Sequence, residues 1–364
     1  MLTSRVGALC VVAALTAGLF GCGTRSVPGA LLTAGVRAPF NVEERRALMG
    51  ASLTRFTCPP PNVPMRDLVP EGFYADRDAS VVNADALARY RDAIRPLTLF
   101  QFQVTSISDA FVGSRPADRA PARCALDWLE AWAGQNALLG RVSRQGVYDR
   151  TWALVAIAAA YLKVAGEQPS PKVEAWIRRL AEETLAYQTS RTGDDTRNNH
   201  AYWAGAALGL AAAAVDQKPW LTWAIGQFRL GMSQVAENGT LPLELARKGQ
   251  ALHYHDFALI PLVQIAEVAF QNGSDLYREA GGPLGRLASL VVTGLDDPSE
   301  FGGLTGVGQT WISGLNGIYL VWMEPYYART RDRRLVPWLE RYRPLRAPWI
   351  GGDATLLYGA KDLS

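Results

Sequence analysis

Apolar residues recur along most of the chain at the three- and four-residue spacing of helices with one buried face. No stretch alternates convincingly with the two-residue period of a strand, so the pattern predicts an all-α fold. Short turns separate the segments. We predict helices from Ala84 onward, near 124–134, at 152–164, after Pro171, at 201–215, after Pro219, and near 251–271, 283–293 and 314–330.

Many antiparallel helix pairs in one large domain favour an α/α toroid, an incomplete α/α barrel whose inner helices line a concave groove. A plain helical bundle is the alternative. We find no clean internal repeat, which argues against ankyrin-type or tetratricopeptide arrays. The toroid domain is predicted to span 71–364, and the polar loop at 72–80 is predicted to be a mobile cover over a site.

The first residues have the pattern of an export signal. Arg5 precedes the apolar run Val6–Phe20, which is too short to span a membrane and is typical of a signal peptide covering 1–21. The motif ending at Cys22 resembles a lipobox, although Phe20 departs from the usual small residue. Lipidation of Cys22 and ordinary cleavage nearby both remain open. Either outcome predicts a periplasmic protein, with an outer-membrane lipid anchor in the first case.

Two cysteines remain in the mature chain, Cys58 and Cys124. In an oxidising compartment they are expected to form a disulfide, with two unpaired thiols as the alternative. Cys58 opens the Pro-rich run that makes 22–70 look like an irregular segment lying across the domain.

The charge of the chain is nearly balanced. With 37 basic and 34 acidic residues, the 364-residue chain has a net charge of +3, which excludes a general nucleic-acid binder. A local basic cleft for a polyanion stays compatible with this balance.

The only three histidines lie in two short polar stretches, one ending at His200 and the other being His253-Tyr254-His255. Asn198 and Asn199 come just before His200 and the apolar helix that follows. They suit a helix cap, and the same turn also attracts a carboxylate, because its N–H groups and the helix dipole are positive. The bunching of rare residues favours a site over a simple cap.

These residues match the needs of β-elimination on a uronate sugar. The proton beside the sugar carboxylate becomes removable once that carboxylate is neutralised, for which Arg247 and Asn199 are suitable. Tyr254 can act as base and then as acid when both groups lie on the same face of the sugar, and Arg247 is expected to favour its phenolate. His200 is the second candidate base, or a charge stabiliser.

The chain resembles the mannuronate-specific alginate lyases of polysaccharide lyase family 5. The resemblance covers residues from about 58 to 330 and rests on these motifs: Asn198-Asn199-His200-Ala201-Tyr202-Trp203-Ala204, Leu241-Pro242-Leu243-Glu244-Leu245, Arg247, Ala251-Leu252-His253-Tyr254-His255, Cys58-Pro59, Cys124-Ala125-Leu126-Asp127-Trp128, Arg150-Thr151-Trp152-Ala153-Leu154 and Met323-Glu324-Pro325-Tyr326.

The resemblance implies an α/α toroid and a lyase without metal or organic cofactor, expected to be a monomer, whose partner is an acidic polysaccharide. It implies catalytic positions at Asn199, His200, Arg247 and Tyr254. Substrate-binding positions are implied at Tyr74, Arg150, Trp152, Asn198 and Glu244, and a similar disulfide occurs in the family.

Several positions depart from the family pattern: Phe73, Leu243, Gly249, Gln250 and Asp256-Phe257. They leave the preferred polymer open, because members of the family also act on glucuronate polymers.

The alternatives to a lyase are a metal site, a glycoside hydrolase and a non-catalytic polysaccharide-binding or assembly protein. His253 and His255 would diverge on a helix, which argues against a shared metal ion. A glycoside hydrolase needs two carboxylates at a defined separation, and no pair stands out among Asp194, Asp195, Glu244, Asp256 and Glu324. A non-catalytic periplasmic polysaccharide-binding or assembly protein would be expected to have lost part of the Asn-His-Arg-Tyr quartet.

Overall fold

Helices dominate the structure, a computed structural model that describes residues 35–48, 56–115, 117–311 and 316–363. The predicted signal peptide and Cys22 lie outside these ranges. The described α-helices are α1 Val42–Leu48, α2 Ala84–Val112, α3 Ala120–Gly134, α4 Arg144–Val164, α5 Pro171–Thr189, α6 Asn199–Val215, α7 Lys218–Gln234, α8 Pro242–Leu245, α9 Ala251–Gln271, α10 Pro283–Asp296, α11 Ser299–Thr305, α12 Met323–Thr330, α13 Val336–Tyr342 and α14 Ala354–Tyr358.

Shorter 3-10 turns connect several of these helices, and one small antiparallel sheet lies near the C-terminus. The 3-10 turns are Asp194–Thr196, Lys248–Gln250, Leu276–Gly281, Leu320–Trp322, Arg333–Leu335 and Pro348–Ile350. The strands β1 (Arg346–Ala347) and β2 (Gly352–Asp353) pair with each other. Two residues per strand are too few to produce an alternating pattern, so sequence analysis missed them.

Most predicted helices are confirmed, and two boundaries were wrong. Helix α4 starts eight positions before Trp152, because the side chain of Ser143 accepts a hydrogen bond from the Gly146 N–H at 3.0 Å and caps the helix there. The helix predicted at 314–330 is shorter: a 3-10 turn at Leu320–Trp322 leads into α12, and residues 312–315 are not described.

The helices form two layers. Helices α2, α4, α6 and α9 pack side by side in chain order as an inner layer, and α3, α5, α7 and α10 cover them from outside. This alternation of inner and outer helices is the architecture of an incomplete α/α toroid, so that prediction is confirmed and the plain bundle is not.

Helix α6 lies at the centre because small residues let its neighbours approach closely. A side chain at Gly205 would place its Cβ 2.8 Å from Ile265 Cδ1 of α9 and 2.9 Å from Gln227 Cβ of α7. Only glycine therefore permits this three-helix contact. Across the described ranges, no helix has the length and apolar character needed to cross a membrane.

The segment 22–70 is not wholly irregular as predicted, because it contains α1. Asn41 accepts a hydrogen bond from the Glu44 N–H at 3.2 Å. Acidic residues occupy the first turn of α1 and Arg45 and Arg46 the last, which complements the helix dipole. The backbone at 56–70 contains no helix.

The N-terminal segment is attached to α3 by the predicted disulfide, which is confirmed. Cys58 and Cys124 are bonded, with their Cα atoms 5.7 Å apart. Trp128 of α3 donates its indole N–H to the Pro59 carbonyl at 2.8 Å. Further on, the Leu68 carbonyl accepts the Ser143 N–H at 3.0 Å, which holds the segment against the start of α4.

Candidate active site

The N-terminus of α6 is fixed by its cap. The Asn198 side-chain oxygen accepts the His200 backbone N–H at 3.0 Å, which confirms the capping interpretation. This bond uses the buried amide of Asn198 to hold the helix start. The contact of Asn198 with substrate stays a prediction. The cap presents the next two residues, Asn199 and His200, at the positive end of the helix dipole.

Glu244 joins two of the predicted catalytic residues. Its carboxylate accepts the Asn199 backbone N–H at 2.8 Å and the Asn199 side-chain amide at 2.9 and 3.0 Å. The other side of the carboxylate faces Arg247, with Nε 3.5 Å from Oε2. Glu244 is 1% exposed and contacts Asn199 and Arg247 from behind. Its implied contact with substrate stays a prediction.

Arg247 lies over the ring of Tyr254. Its guanidinium carbon is 4.1 Å from the ring centroid, a cation–π geometry. Burial raises the pKa of Tyr254, and this outweighs the opposite effect of the Arg247 charge. The phenol is therefore protonated in the substrate-free protein. The expected effect of Arg247, which favours the phenolate, is present but smaller than the effect of burial.

His200 is half-buried between aromatic rings. It stacks on Tyr148 with ring centroids 3.7 Å apart, and Trp152 lies 6.3 Å away. Burial, followed by the charge of Arg247, lowers the pKa of His200 to about 3. The imidazole is consequently neutral near pH 7, so it suits a base or hydrogen-bonding group better than a cationic charge stabiliser.

The predicted cover loop reaches the site through Tyr74. The Tyr74 and Tyr254 hydroxyl groups are hydrogen-bonded to each other. The loop closes on itself where the Asn83 N–H donates to the Phe73 carbonyl at 2.9 Å and the Ala75 N–H donates to Val81. The prediction that this segment lies over the site is confirmed; its mobility stays a prediction.

Arg150 makes none of these contacts, and its implied substrate-binding role stays a prediction. Its side chain is 4% exposed, and its guanidinium is 3.5 Å from Glu183 of α5. Trp152 faces His200 and Phe257 instead. Residues two apart on a helix point about 200° apart, so one of the pair had to face away from the groove.

His253 and His255 have structural surroundings. His255 bonds to the Ala251 carbonyl at 2.7 Å and accepts the Leu241 N–H at 2.9 Å. His253 packs against Phe257 and Tyr319. In the ranges that the structure describes, no three His, Cys, Asp or Glu side chains are grouped to hold a metal ion.

The carboxylates considered for hydrolysis have other partners. Glu324 forms two bonds to Arg343 at 2.7 and 2.6 Å. Asp256 accepts the Trp322 indole N–H at 2.7 Å, and burial raises its pKa to about 8. Asp194 pairs with Arg197 at 3.0 Å on the surface. None of these three residues shares a contact with another carboxylate from the set.

Sequence analysis missed Tyr148, although the signal was present. It lies four residues before Trp152 on α4, and side chains at this spacing share one face. Its hydroxyl donates to Asp195 at 3.0 Å, which links the stacked His200 to a polar cluster at the edge of the site. From the sequence, Asp195 is a candidate only as a hydrolytic carboxylate.

An α/α toroid whose groove collects an amide, an imidazole, a guanidinium and a phenol defines a polysaccharide lyase of the β-eliminating class. The sequence profile of the family described as "Alginate lyase" matches residues 73–301. The chain belongs to the alginate lyase family. The prediction of a carbon–oxygen lyase acting on an acidic polysaccharide is thereby confirmed.

Individual relatives agree. A polysaccharide lyase from Stenotrophomonas maltophilia (strain K279a) is 36% identical over 317 residues, which cover 84% of this chain and 92% of that protein. An alginate lyase from Azotobacter vinelandii is 31% identical over 317 residues, covering 82% and 83%. A solved variant of alginate lyase A1-III complexed with tetrasaccharide has a TM-score of 0.78 at 25% identity, covering 90% of this chain and 98% of that one.

Proposed function

We propose that the protein cleaves poly-β-D-mannuronate, the substrate implied by polysaccharide lyase family 5, and leaves an unsaturated uronate at the new non-reducing end. The observation that carries this proposal is the contact of Arg247 with both Glu244 and Tyr254, while Glu244 binds Asn199. It supports a single catalytic surface formed by residues distant in sequence, with His200 beside Asn199 on the same helix end.

In the proposed reaction, Arg247 and Asn199 neutralise the carboxylate on C5 of the sugar in which the new double bond forms. This stabilises the negative charge that develops when the C5–H bond breaks. The electron pair forms the C4=C5 double bond, and the C4–O bond breaks. The proton taken from C5 is returned to the departing oxygen, so the reaction needs no added proton overall.

Tyr254 is the proposed carrier of that proton. The Arg247 charge and the hydrogen bond from Tyr74 both lower the pKa of Tyr254, although burial raises it more strongly. The phenolate is thus a minor species whose formation contributes to the barrier. Neutral His200, whose pKa is lowered by burial, is the proposed hydrogen-bonding partner of the substrate and the second base.

The stereochemistry of this mechanism selects among uronates. One residue can serve both proton transfers only when the C5 proton and the C4 oxygen lie on the same face. Mannuronate and glucuronate share this arrangement because they differ only at C2, whereas guluronate is inverted at C5. Cleavage of glucuronate polymers is therefore the second candidate activity, and the general name of the Stenotrophomonas relative leaves room for it.

The test is a substrate panel of polymannuronate, polyguluronate, polyglucuronate and hyaluronan, read by the ultraviolet absorbance of the unsaturated product. We expect absorbance with the first and a weaker signal with polyglucuronate. Reducing ends without absorbance would indicate a hydrolase, and binding without either signal would indicate a non-catalytic protein. Tyr254→Phe serves as the matched inactive control.

We also infer that the protein is exported and acts in the periplasm as a monomer, with or without a lipid at Cys22. The apolar segment before Cys22 supports export, and the Cys58–Cys124 disulfide supports an oxidising compartment. The expectation of a monomer comes from the resemblance to the family. Mass spectrometry of the mature N-terminus and light scattering of the purified protein test these two points.

A further inference from the structure

A polar cluster lies beside His200 and has no part in the proton transfers. Its centre is Asp195, which is 3% exposed and accepts the hydroxyl groups of Tyr148 at 3.0 Å and Tyr187 at 3.1 Å. Two arginines flank the same carboxylate oxygen: Arg144 at 3.5 Å and Arg191 at 3.7 Å. We call these five residues the Asp195 cluster.

The buried carboxylate of the cluster is charged. Burial alone would raise the pKa of Asp195, but the two phenol hydrogen bonds and the two guanidinium groups hold it below the usual value. The backbone leaves space for this arrangement only because residue 193 is glycine, where a Cβ would lie 2.6 Å from Asp195 Oδ1. Asp195 is therefore a fixed anchor for the two cations.

The two cations remain accessible although they are anchored. The side chain of Arg144 is 69% exposed and that of Arg191 is 43% exposed. Arg144 is also oriented by its Nε, which donates to the Tyr148 hydroxyl at 2.9 Å, and Arg191 lies over the Tyr187 ring at 4.9 Å. Orienting these long side chains in advance reduces the entropy that binding would cost.

The charge of the cluster suits an anion. Two guanidinium groups and one carboxylate leave one net positive charge, and the neighbouring Asp194 and Arg197 pair with each other. An arginine guanidinium binds a carboxylate through two parallel hydrogen bonds.

The position of the cluster relates it to the cleavage site. Tyr148 connects the two, since its ring stacks on His200 at 3.7 Å and its hydroxyl contacts Arg144. The charges of Asp195 and Arg144 both act on the pKa of His200, which confirms that the cluster and the site are electrostatic neighbours. Tyr148 therefore contacts both the guanidinium of Arg144 and the ring of His200.

We propose that Arg144 and Arg191, held by buried Asp195, bind the carboxylate of a uronate unit next to the one that is cleaved, and so select polymers with a carboxylate on consecutive sugars. The proposal rests on the proposed function, because it assumes a uronate polymer in the groove. It distinguishes polymannuronate and polyglucuronate from hyaluronan, in which uncharged sugars alternate with uronates.

The test compares Arg144→Ala and Arg191→Ala with Arg179→Ala, which removes an exposed arginine of α5 whose partner is Asn136, outside the cluster. Turnover is measured on mannuronate oligosaccharides of increasing length. For Arg144→Ala we expect KM to rise roughly tenfold on long chains, because one charge-assisted contact at an exposed rim is lost. The expected change in kcat is less than twofold, and the KM effect should shrink on the shortest chain cleaved.

Binding provides a readout that does not require turnover. Calorimetry with tetramannuronate in the Tyr254→Phe background should give a Kd about tenfold weaker when Arg144→Ala is added, with Arg144→Lys intermediate. Equal Kd values with and without Arg144 would overturn the proposal. A fall in kcat that is the same at every chain length would also overturn it, because that result indicates a purely structural role of Arg144 through Tyr148. The wild type could lack lyase activity while Arg144→Ala still weakens the Kd for tetramannuronate about tenfold. That result would contradict the proposed function and retain this inference.

Discussion

Glu244→Gln is the perturbation that most directly tests how the site is held together. The substitution keeps the shape of the side chain and an oxygen that can accept the Asn199 backbone N–H, which is 2.8 Å away in the native structure. It removes the negative charge that faces Arg247 at 3.5 Å. The new amide nitrogen would compete with Arg247, because both groups are donors.

The magnitude follows from the geometry. Opposite charges at this distance attract by about 4–5 kcal/mol at an effective dielectric constant of ~20. Breaking a buried pair typically costs about 3–5 kcal/mol. The Arg247 side chain is 10% exposed, so water in the groove can solvate part of the charge left unpaired. We therefore expect the free energy of unfolding to fall by roughly 2–3 kcal/mol. Misplacement of Arg247 and Asn199 is expected to lower kcat by roughly 10- to 100-fold.

The pH dependence separates an electrostatic role from a merely structural one. The Glu244 charge raises the pKa of Tyr254, so the glutamine variant should lower that pKa. If the Tyr254 phenolate is the base, the pH optimum of kcat shifts to lower pH. The assay is kcat against pH by product absorbance, together with thermal unfolding.

The matched control is Glu237→Gln, the same substitution at an exposed position in the turn before α8. It should change neither the activity nor the stability. Wild-type kcat, pH optimum and melting temperature in Glu244→Gln would refute the reasoning that this carboxylate positions Arg247 and Asn199.

Three further predictions concern Tyr254, His200 and Asp256. Tyr254→Phe should lower kcat by roughly 10²- to 10⁴-fold while circular dichroism and melting temperature stay near wild type, since only a hydroxyl is lost; near-normal turnover would exclude the residue as proton carrier. The pKa of His200 is lowered to about 3, so kcat/KM should show no ionisation of this imidazole near pH 6.5, and an NMR titration of its ring with an ordinary midpoint would contradict the burial argument. The pKa of Asp256 is raised to about 8 from an unfolded value of 3.8, so the folded protein retains a proton that the unfolded chain loses. Between pH 4 and 8, the free energy of unfolding of the wild type should therefore fall by up to about 1.4 kcal/mol per pH unit relative to that of Asp256→Asn. A difference in unfolding free energy that does not change with pH would show that burial does not govern this carboxyl.

Part of the site was predictable because it is local. The start of α6 contains the consecutive residues Asn198, Asn199 and His200. The cap that orients them is a short-range interaction, so it can be predicted from the residue types. Tyr148 and Trp152 share a helix face for the same reason. The contact of Arg150 with Glu183 was not predictable, because a sequence motif does not reveal which face of α4 meets the groove, and that depends on the packing of α5.

The sequence alone determined the helical class, the helix start that carries Asn199 and His200, and the pairing of two cysteines, because periodicity, capping and the supply of thiols are properties of the chain itself. The tertiary structure alone decided that Glu244 is buried between Asn199 and Arg247. It also decided the protonated state of Tyr254 and the neutral state of His200. Burial and long-range charge set these properties, and both depend on which distant segments meet once the helices pack.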